Sequence, residues 1–256
     1  MRDAVVVKIG GSLGAETDAA VDAVAALHDG GRPVVVVHGG GALVGDWATR
    51  LGLATRFERG LRVTDEPTRD VALAVLAGLT NTRIVASLLR RGVPAVGLSG
   101  VDGGLLRAER EDASLGLVGR VSLVDSSLLE DLLDSGRVPV VAPAAIGADD
   151  GAVLNVNADV AAGAIAASLA ARLLVFITDV PGVRAKDGKV IAALDRERAR
   201  ALVEDGTIEG GMLPKVEACL VAASAGCRAA IVPSGGDAIE RLLQGERSGT
   251  VVEAAS

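Results

Sequence analysis

The stretch AVVVKIGGSLG, residues 4–14, decides the fold class of this chain. It joins a run of β-branched residues directly to a glycine-rich turn, and PVVVVHGGGALVG at 33–45 repeats the arrangement. Continuous apolar runs of this length are typical of strands that are covered on both faces. A strand that ends in a glycine turn before a helical segment indicates a parallel α/β sheet.

The same alternation continues along the chain. Further apolar runs follow at 93–98, 138–143, 172–178 and 228–233, and helical segments are expected at 18–29, 67–91, 126–135, 158–170, 196–205, 212–225 and 237–243. Since strands and helices alternate almost throughout, we expect an α/β fold, a three-layer αβα sandwich with a central, mainly parallel sheet. Two segments that break the pattern, 106–121 and 147–159, each predict a hairpin that decorates the edge of this sheet.

Composition argues against several classes of function. The chain has 256 residues, 50% of them hydrophobic, and its net charge of −7 with 1% aromatic residues argues against nucleic-acid binding. The longest apolar stretch, 158–178, is interrupted by Asp159 and Arg172, which favours a core helix and strand over a membrane span. Cys219 and Cys227 lack a CxxC or metal-ligand spacing, so we expect them to be reduced and structural. With no signal-peptide pattern at the N-terminus, we expect a cytoplasmic protein without membrane or nucleic-acid partners.

Two glycine turns stand where α/β proteins bind ligands, beyond the carboxyl ends of parallel strands. KIGGSLG (8–14) and HGGGALVG (38–45) each follow a strand and precede a helix. Glycine lets the backbone approach an anion closely, and the free N–H groups at a helix start attract negative charge. Each turn predicts a phosphate or carboxylate cradle, although a tight turn alone would use the same glycines.

Known motifs leave one competing class. Neither turn has the P-loop spacing GxxxxGK[ST], and GGGALVG lacks the GxGxxG spacing of a dinucleotide site. GGSLG does match the GxSxG elbow of hydrolases, with Ser12 as the nucleophile and HGGG as an oxyanion loop. That elbow normally follows several strands, whereas Ser12 follows the first, and His28 and His38 come too early for a triad histidine. A hydrolase is therefore a minor alternative.

Two lysines lie where a positive charge needs an anionic partner. Lys8 lies inside an apolar strand, where a buried ammonium group without a counter-ion is costly. Lys215 follows Pro214 in the opening turn of a helix, where lysine opposes the helix dipole. A phosphate would satisfy both, although Lys215 extending into solvent would also fit the sequence.

Three further segments supply polar groups for a ligand. ERGLRVTDEPT (58–68) places Arg62 before a helix capped by Thr64 or Asp65, and its planar guanidinium group suits a carboxylate. NVNAD (155–159) brings two asparagines and an aspartate to a helix start, where capping alone would explain one of the three. TDVPGV (178–183) follows a strand with a Pro-Gly turn, a suitable position for the base and ribose of a nucleotide.

Taken in order, these segments resemble the amino-acid kinase family, and within it the kinases that act on N-acetyl-L-glutamate in arginine biosynthesis. The similarity extends over nearly the whole chain. It is carried by KIGGS (8–12), VHGGG (37–41), GLRVTD (60–65), VGLSGVDG (96–103), LGLVG (115–119), NVNAD (155–159), TDVPGV (178–183) and GGMLPKVEA (210–218). Segments 142–151 and 231–237 depart from the family pattern without touching a candidate catalytic residue.

The resemblance implies a role for each matching residue. Lys8 and Lys215 would be the catalytic lysines that neutralise the phosphoryl group in transit, and Asp159 would hold both ammonium groups in place. The backbone N–H groups of Gly11, Gly40 and Gly41 would contact the phosphates and the moving phosphoryl group. The amino-acid substrate would be bound by Gly40, Gly41, Arg62, Asn155 and Asn157, and ATP by Gly10, Gly11, Thr178, Asp179, Val180, Gly182, Val183, Gly210, Gly211 and Met212.

The implied reaction needs no general base. A γ-carboxylate has a pKa of about 4.3 and is already the nucleophile at neutral pH. What remains is to position two anions and to spread charge away from the γ-phosphoryl group. The resemblance implies ATP as the donor, with Mg²⁺ carried by the nucleotide and no metal ligand from the protein.

The resemblance also implies two lobes and an oligomer. We expect an N-terminal lobe, 1–170, for substrate binding and dimerisation, and a C-terminal lobe, 171–256, for ATP. Arginine-inhibited members carry an extra N-terminal helix, whereas this sequence starts at its first strand, so we expect a homodimer without arginine feedback. The alternatives are a kinase for carrier-protein-linked aminoadipate or glutamate in lysine or arginine biosynthesis, a carbamate kinase, and a catalytically silent sensor on the same fold.

Overall fold

The fold is described by a computed structural model that covers residues 3–10, 15–58, 60–234 and 237–253. The strands are β1 (Val5–Ile9), β2 (Val34–His38), β3 (Phe57–Glu58), β4 (Leu61–Arg62), β5 (Ala95–Ser99), β6 (Leu106–Arg110), β7 (Val118–Val124), β8 (Val138–Ala142), β9 (Ala144–Gly147), β10 (Val153–Val156), β11 (Leu173–Thr178), β12 (Ala193–Leu194), β13 (Arg228–Pro233) and β14 (Thr250–Val252). The α-helices are α1 (Ala15–Asp29), α2 (Gly41–Arg50), α3 (Glu66–Leu73), α4 (Asn81–Arg90), α5 (Ser127–Asp134), α6 (Ala158–Ser168), α7 (Arg196–Glu204), α8 (Leu213–Ser224) and α9 (Ala238–Leu243).

A central sheet of eight strands runs in the order β12, β14, β13, β11, β1, β2, β8, β5. Its neighbouring strands are parallel except for β13 and β14. Strand β1 lies between β11 and β2, and the register places Lys8 beside Phe176 and Val37. The predicted mainly parallel sheet is confirmed, and the glycine turn after β1 begins at the middle of its carboxyl edge.

Helices cover both faces of this sheet because successive strand residues point to opposite sides. Val6 and Phe176 belong to a core cluster that includes small residues of α6 and α8, whereas Val5 and Val7 belong to a second cluster with α1, α4 and α9. Cys219 lies in the first cluster as a buried free thiol, and burial raises its pKa well above the usual value. The predicted three-layer sandwich is therefore confirmed.

The two predicted hairpins form, but their predicted position is wrong. Strands β6 and β7 pair antiparallel, as do β9 and β10. Rather than decorating the edge of the central sheet, they pair with each other into a closed barrel in the order β10, β7, β6, β9. Closure leaves these short strands without unpaired edges, which explains why they do not extend the larger sheet.

The predicted lobe boundary at 170/171 falls between α6 and β11. Strand β11 pairs with β1 along five consecutive residues of β1, so the central sheet is continuous across that boundary. The division of labour between 1–170 and 171–256 stays a prediction.

One long helical segment runs from Glu66 to Arg90 and includes a π-helical stretch, Ala74–Thr80, between α3 and α4. By length and apolar composition alone it could cross a membrane, a property that core helices share. Here the segment packs against α1, β5 and β8. The sequence predicts this helix at 67–91 but not the π-helical stretch within it.

Candidate functional site

Asp159 joins Lys8 and Lys215 at the carboxyl edge of the sheet. Its Oδ1 lies 2.8 Å from Lys8 Nζ and its Oδ2 lies 2.9 Å from Lys215 Nζ. Local structure sets each position: Lys8 is near the end of β1, Asp159 is in the first turn of α6, and Lys215 is in the first turn of α8. Asn157 caps α6, since its Oδ1 accepts from the backbone N–H of Asp159 at 2.8 Å.

Lys8, Lys215 and Asp159 form a triad with two positive charges and one negative charge, so its net charge is +1. Burial alone would raise the pKa of Asp159, but the two ammonium groups hold it below the usual value. Burial lowers the pKa of Lys8, and the carboxylate of Asp159 opposes that effect. The side chain of Lys8 is only 9% exposed, so a second anion beside it would stabilise its charged form.

A first cleft, here called the Arg62 cleft, lies on one side of the triad. It is lined by Lys8, Gly39, Gly40, Gly41, Arg62, Asn155, Asn157 and Asp159, among others. Arg62 Nη2 donates to the carbonyl oxygen of Gly41 at 2.7 Å, and its guanidinium carbon lies 4.8 Å from the ring centroid of Phe57. A positively charged, backbone-lined cleft of this kind suits a small carboxylic acid.

A second cleft, here called the Thr178 cleft, lies on the other side. It is lined by Lys8, Ile9, Gly10, Thr17, Ala20, Ile177, Thr178, Asp179, Lys215 and Ser234. Thr178 Oγ1 donates to the carbonyl oxygen of Val180 at 2.8 Å and thereby fixes the turn after β11. Because Lys8 lines both clefts, ligands in the two clefts would meet at its ammonium group.

The structure brings together most of the residues that the sequence analysis selected. Lys8, Gly40, Gly41, Arg62, Asn155, Asn157 and Asp159 share the Arg62 cleft, and Lys8, Gly10, Thr178, Asp179 and Lys215 share the Thr178 cleft. Gly11 lies outside the described residues.

The remaining predicted nucleotide ligands do not line the Thr178 cleft. Val183 is buried, and its backbone N–H donates to Thr250 Oγ1 at 2.8 Å. Gly182 lies against the same threonine. Gly210, Gly211 and Met212 form a 3₁₀ turn before α8, where the carbonyl oxygen of Gly211 accepts from Lys215 Nζ at 3.1 Å. Val180 contributes to the site through its hydrogen bond with Thr178.

Sequence reasoning missed two sets of residues. Thr17 and Ser234 line the Thr178 cleft, and their only signal is a polar residue soon after a glycine turn or a strand. His38 and Asn81 form a buried hydrogen-bonded pair behind the Arg62 cleft. His38 stood inside the HGGG motif, but nothing in the sequence connects it with Asn81.

Comparisons with known proteins agree with this architecture. The sequence model of the amino acid kinase family matches residues 3–233. An acetylglutamate kinase from Methanopyrus kandleri is 47% identical over 257 residues, which cover 96% of this chain and 99% of the relative. A crystal structure of a protein from Streptococcus mutans UA159 has a TM-score of 0.85 and 25% identity over 100% of both chains. Carbamate kinase from Giardia lamblia bound to AMP-PNP has a TM-score of 0.72 at 17% identity over 99% of both chains, a likeness in fold alone.

Proposed function

Since the chain belongs to the amino acid kinase family, we propose that it transfers the γ-phosphoryl group of ATP to the γ-carboxylate of N-acetyl-L-glutamate. The products are ADP and N-acetyl-glutamyl 5-phosphate, and the reaction is the second step of arginine biosynthesis. One observation carries the proposal: Lys8 lines both clefts and shares Asp159 with Lys215. A donor in one cleft and an acceptor in the other would therefore meet at two fixed ammonium groups.

The Arg62 cleft would hold the acceptor. The guanidinium group of Arg62 is fixed by Gly41 O and by the Phe57 ring, and its remaining N–H groups can bind the α-carboxylate. Asn155 Nδ2 lies 3.3 Å from Thr64 Oγ1, which leaves the Asn155 carbonyl oxygen to accept from the acetamido N–H. This arrangement would direct the γ-carboxylate towards Lys8.

The Thr178 cleft would hold ATP, with its phosphates near Lys8, Lys215 and Gly10 and its ribose near Thr178 and Asp179. Two lysines that share one carboxylate leave a positive charge there, which fits a polyphosphate. Magnesium, carried by the nucleotide, would neutralise charge on the β- and γ-phosphates.

Transfer forms a bond between the carboxylate oxygen and the γ-phosphorus and breaks the bond between that phosphorus and the β-γ bridging oxygen. The leaving electron pair stays on ADP. Lys8 and Lys215 would stabilise the equatorial oxygens of the phosphoryl group, and the backbone N–H groups of Gly40 and Gly41 would assist. Asp159 would keep both ammonium groups in place, and no residue needs to remove a proton because the acceptor is already ionised.

The proposal includes a homodimer and a cytoplasmic location, in keeping with a biosynthetic reaction between ATP and a small free acid. N-acetyl-L-glutamate as a free molecule is preferred over a carrier-linked acid because the Arg62 cleft is lined by 60–62 and 39–41, which belong to the GLRVTD and HGGG segments that resemble the acetylglutamate kinases.

A coupled ADP-release assay tests the proposal. MgATP would be combined in turn with N-acetyl-glutamate, glutamate, aspartate, carbamate and N-acetyl-aminoadipate, with hydroxylamine present to trap an acyl phosphate as its hydroxamate. We expect hydroxamate with N-acetyl-glutamate alone. ADP release without hydroxamate would contradict phosphoryl transfer to a carboxylate. No ADP release with any of the acids, despite measurable ATP binding, would favour a carrier-linked substrate or a sensor.

A further inference from the structure

A buried polar pair lies directly behind the glycine turn of the Arg62 cleft. His38 ends β2 and Asn81 begins α4, and both side chains are buried. Asn81 Nδ2 lies 3.1 Å from His38 Nε2, and His38 Nδ1 lies 2.9 Å from the carbonyl oxygen of Gly39. An amide nitrogen only donates, so Nε2 accepts and Nδ1 carries the proton donated to Gly39. The hydrogen bonds therefore run in one direction, from Asn81 through His38 to the glycine turn.

Asn81 is itself held by the sheet. Its Nδ2 has two hydrogens: one bonds the carbonyl oxygen of Val140 on β8 at 2.8 Å, and the other is shared between His38 Nε2 and the carbonyl oxygen of Leu98 on β5, which lies at 3.2 Å. Gly97 on β5 leaves the space for this side chain, since a Cβ there would collide with Asn81 Oδ1. The amide thus connects strands β5 and β8 with the end of β2, where His38 lies.

The π-helical stretch that precedes Asn81 packs against the same glycine turn. Gly40 has a φ of 158°, and a Cβ on it would lie 2.6 Å from Leu76 Cδ2 and 3.4 Å from Thr80 Oγ1. Both residues belong to the π-helical stretch, a feature that is frequent at functional sites. The turn is therefore fixed by packing at Gly40 and by two hydrogen bonds at Gly39, whose carbonyl oxygen accepts from His38 and whose N–H donates to the carbonyl oxygen of Ile9 at 3.1 Å.

We propose that Asn81 and His38 are positioning residues, which orient the backbone of Gly39–Gly41 so that the N–H groups of Gly40 and Gly41 meet the acceptor and the transferred phosphoryl group. The N–H of Gly39 is already bonded to the carbonyl oxygen of Ile9. The inference deepens the proposed function and rests on it. Burial lowers the pKa of His38 to about 4, so the imidazole stays neutral during turnover and acts through the turn instead of exchanging a proton with the substrate.

The tautomer of His38 tests the hydrogen-bond chain without any substrate. The sequence holds two histidines, so the His28→Gln variant leaves a single imidazole to record by ¹⁵N NMR. We expect a protonated Nδ1 and an unprotonated Nε2 at neutral pH, and the loss of that fixed tautomer in the His28→Gln/Asn81→Ala double variant. An Nε2-protonated imidazole in the parent protein would overturn the proposal.

Two substitutions of His38 separate positioning from space filling. Asparagine places an amide nitrogen near the position of Nδ1 and keeps the bond to Gly39, whereas glutamine reaches Asn81 but loses that bond. If the bond to Gly39 positions the turn, His38→Asn retains more kcat than His38→Gln. If the histidine only fills space, the larger glutamine is the better replacement, and the proposal fails.

Asn81→Ala removes the amide of the pair, and Gly97→Ala displaces that amide by adding a Cβ against Asn81 Oδ1. We expect each to lower kcat about tenfold or more, as for a misplaced oxyanion donor, with the KM for ATP changed less than about twofold. Thr82→Ala, on the exposed side of the same helix, is the matched control and should leave kcat unchanged. A rise in the KM for ATP as large as the fall in kcat would contradict the proposal. Thermal destabilisation with full kcat would contradict it as well.

The two proposals can fail separately. If the parent protein forms no hydroxamate with N-acetyl-glutamate, the proposed function is wrong. The backbone amide signals of Gly39–Gly41 then decide the inference: they should shift in Asn81→Ala and stay in place in Thr82→Ala, and unshifted signals in both variants would overturn it.

Discussion

A single buried carboxylate, Asp159, holds two ammonium groups at the point where both clefts meet. We predict that Lys8→Ala lowers kcat by at least about 100-fold, because removing one preformed electrostatic donor at a reacting centre typically has this effect. ATP binding, measured by calorimetry, should persist because Lys215 and the rest of the Thr178 cleft remain. Lys189→Ala is the control, since Lys189 is 85% exposed. Unchanged turnover in Lys8→Ala would contradict the proposed mechanism.

His38 should make the stability of the protein depend on pH. Burial lowers its pKa from 6.5 to about 4. As the pH falls between these values, the unfolded chain takes up a proton that the folded chain does not, so the contribution of His38 to the free energy of unfolding falls and then levels off near pH 4. The interval corresponds to about 3 kcal/mol.

Urea unfolding at several pH values checks this prediction. The pH dependence attributed to His38 should disappear in His38→Asn and persist in His28→Gln. Identical curves for the parent and His38→Asn would show that the imidazole is not held neutral by burial.

At the level of elements, the crossing of α6 and α8 sets the distance between Asp159 and Lys215. Gly163 lies one turn after Asp159, and Ala218 lies about one turn after Lys215. A Cβ on Gly163 would lie 2.8 Å from the carbonyl oxygen and 2.9 Å from the Cα of Ala218. The absence of a side chain therefore lets the two helices approach closely and brings their first turns into salt-bridge distance.

We predict that Gly163→Ala lowers the free energy of unfolding by about 1–3 kcal/mol and reduces kcat, because overpacking moves α8 and Lys215 away from Asp159. Gly78→Ala is the matched control: the same substitution in a helical segment with open space around it should not destabilise. Full stability and activity of Gly163→Ala would show that the crossing does not set the site.

These elements also mark what a sequence can predict. The runs at 4–9 and 172–178 predicted their strands because a buried parallel strand needs little beyond continuous apolar residues. The barrel could not be placed, since β6 pairs with β9 through contacts that no local pattern records. AVLAGLT at 74–80 is apolar like any buried helix, so its π-helical geometry left no signal.

For the site, too, local sequence patterns predicted individual residues but not the contacts between them. Lys8, Asp159 and Lys215 could each be selected from a local anomaly, a charge in an apolar strand or at a helix start, and the family resemblance grouped them. Their salt bridges depend on a helix crossing that only tertiary structure provides. No local pattern selects Asn81, since a lone asparagine in a long helix is usually a surface residue.

For the whole molecule, the central sheet ends in two unequal edges. Strand β12 at one end has only two residues, whereas β5 at the other has five uncharged residues, AVGLS, that are largely half-buried. A longer, uncharged edge is a surface that proteins normally cover. Helix α4 packs beside β5, and its Leu89 is 53% exposed. The predicted homodimer would therefore pair through the face formed by β5 and α4.

Sedimentation of variants that carry a new lysine on either surface tests this arrangement. The parent chain should sediment at about twice 25.7 kDa, and Leu89→Lys should shift it towards the monomer, because a lysine buried at an interface without a partner is costly. Val221→Lys is the control, since Val221 is 50% exposed on α8, which packs near β13 and β14 at the opposite end of the sheet. A monomeric parent would contradict the dimer itself. A dimer that survives Leu89→Lys but dissociates in Val221→Lys would place the interface at the other end of the sheet, where the Thr178 cleft would then lie closer to the partner than the Arg62 cleft does.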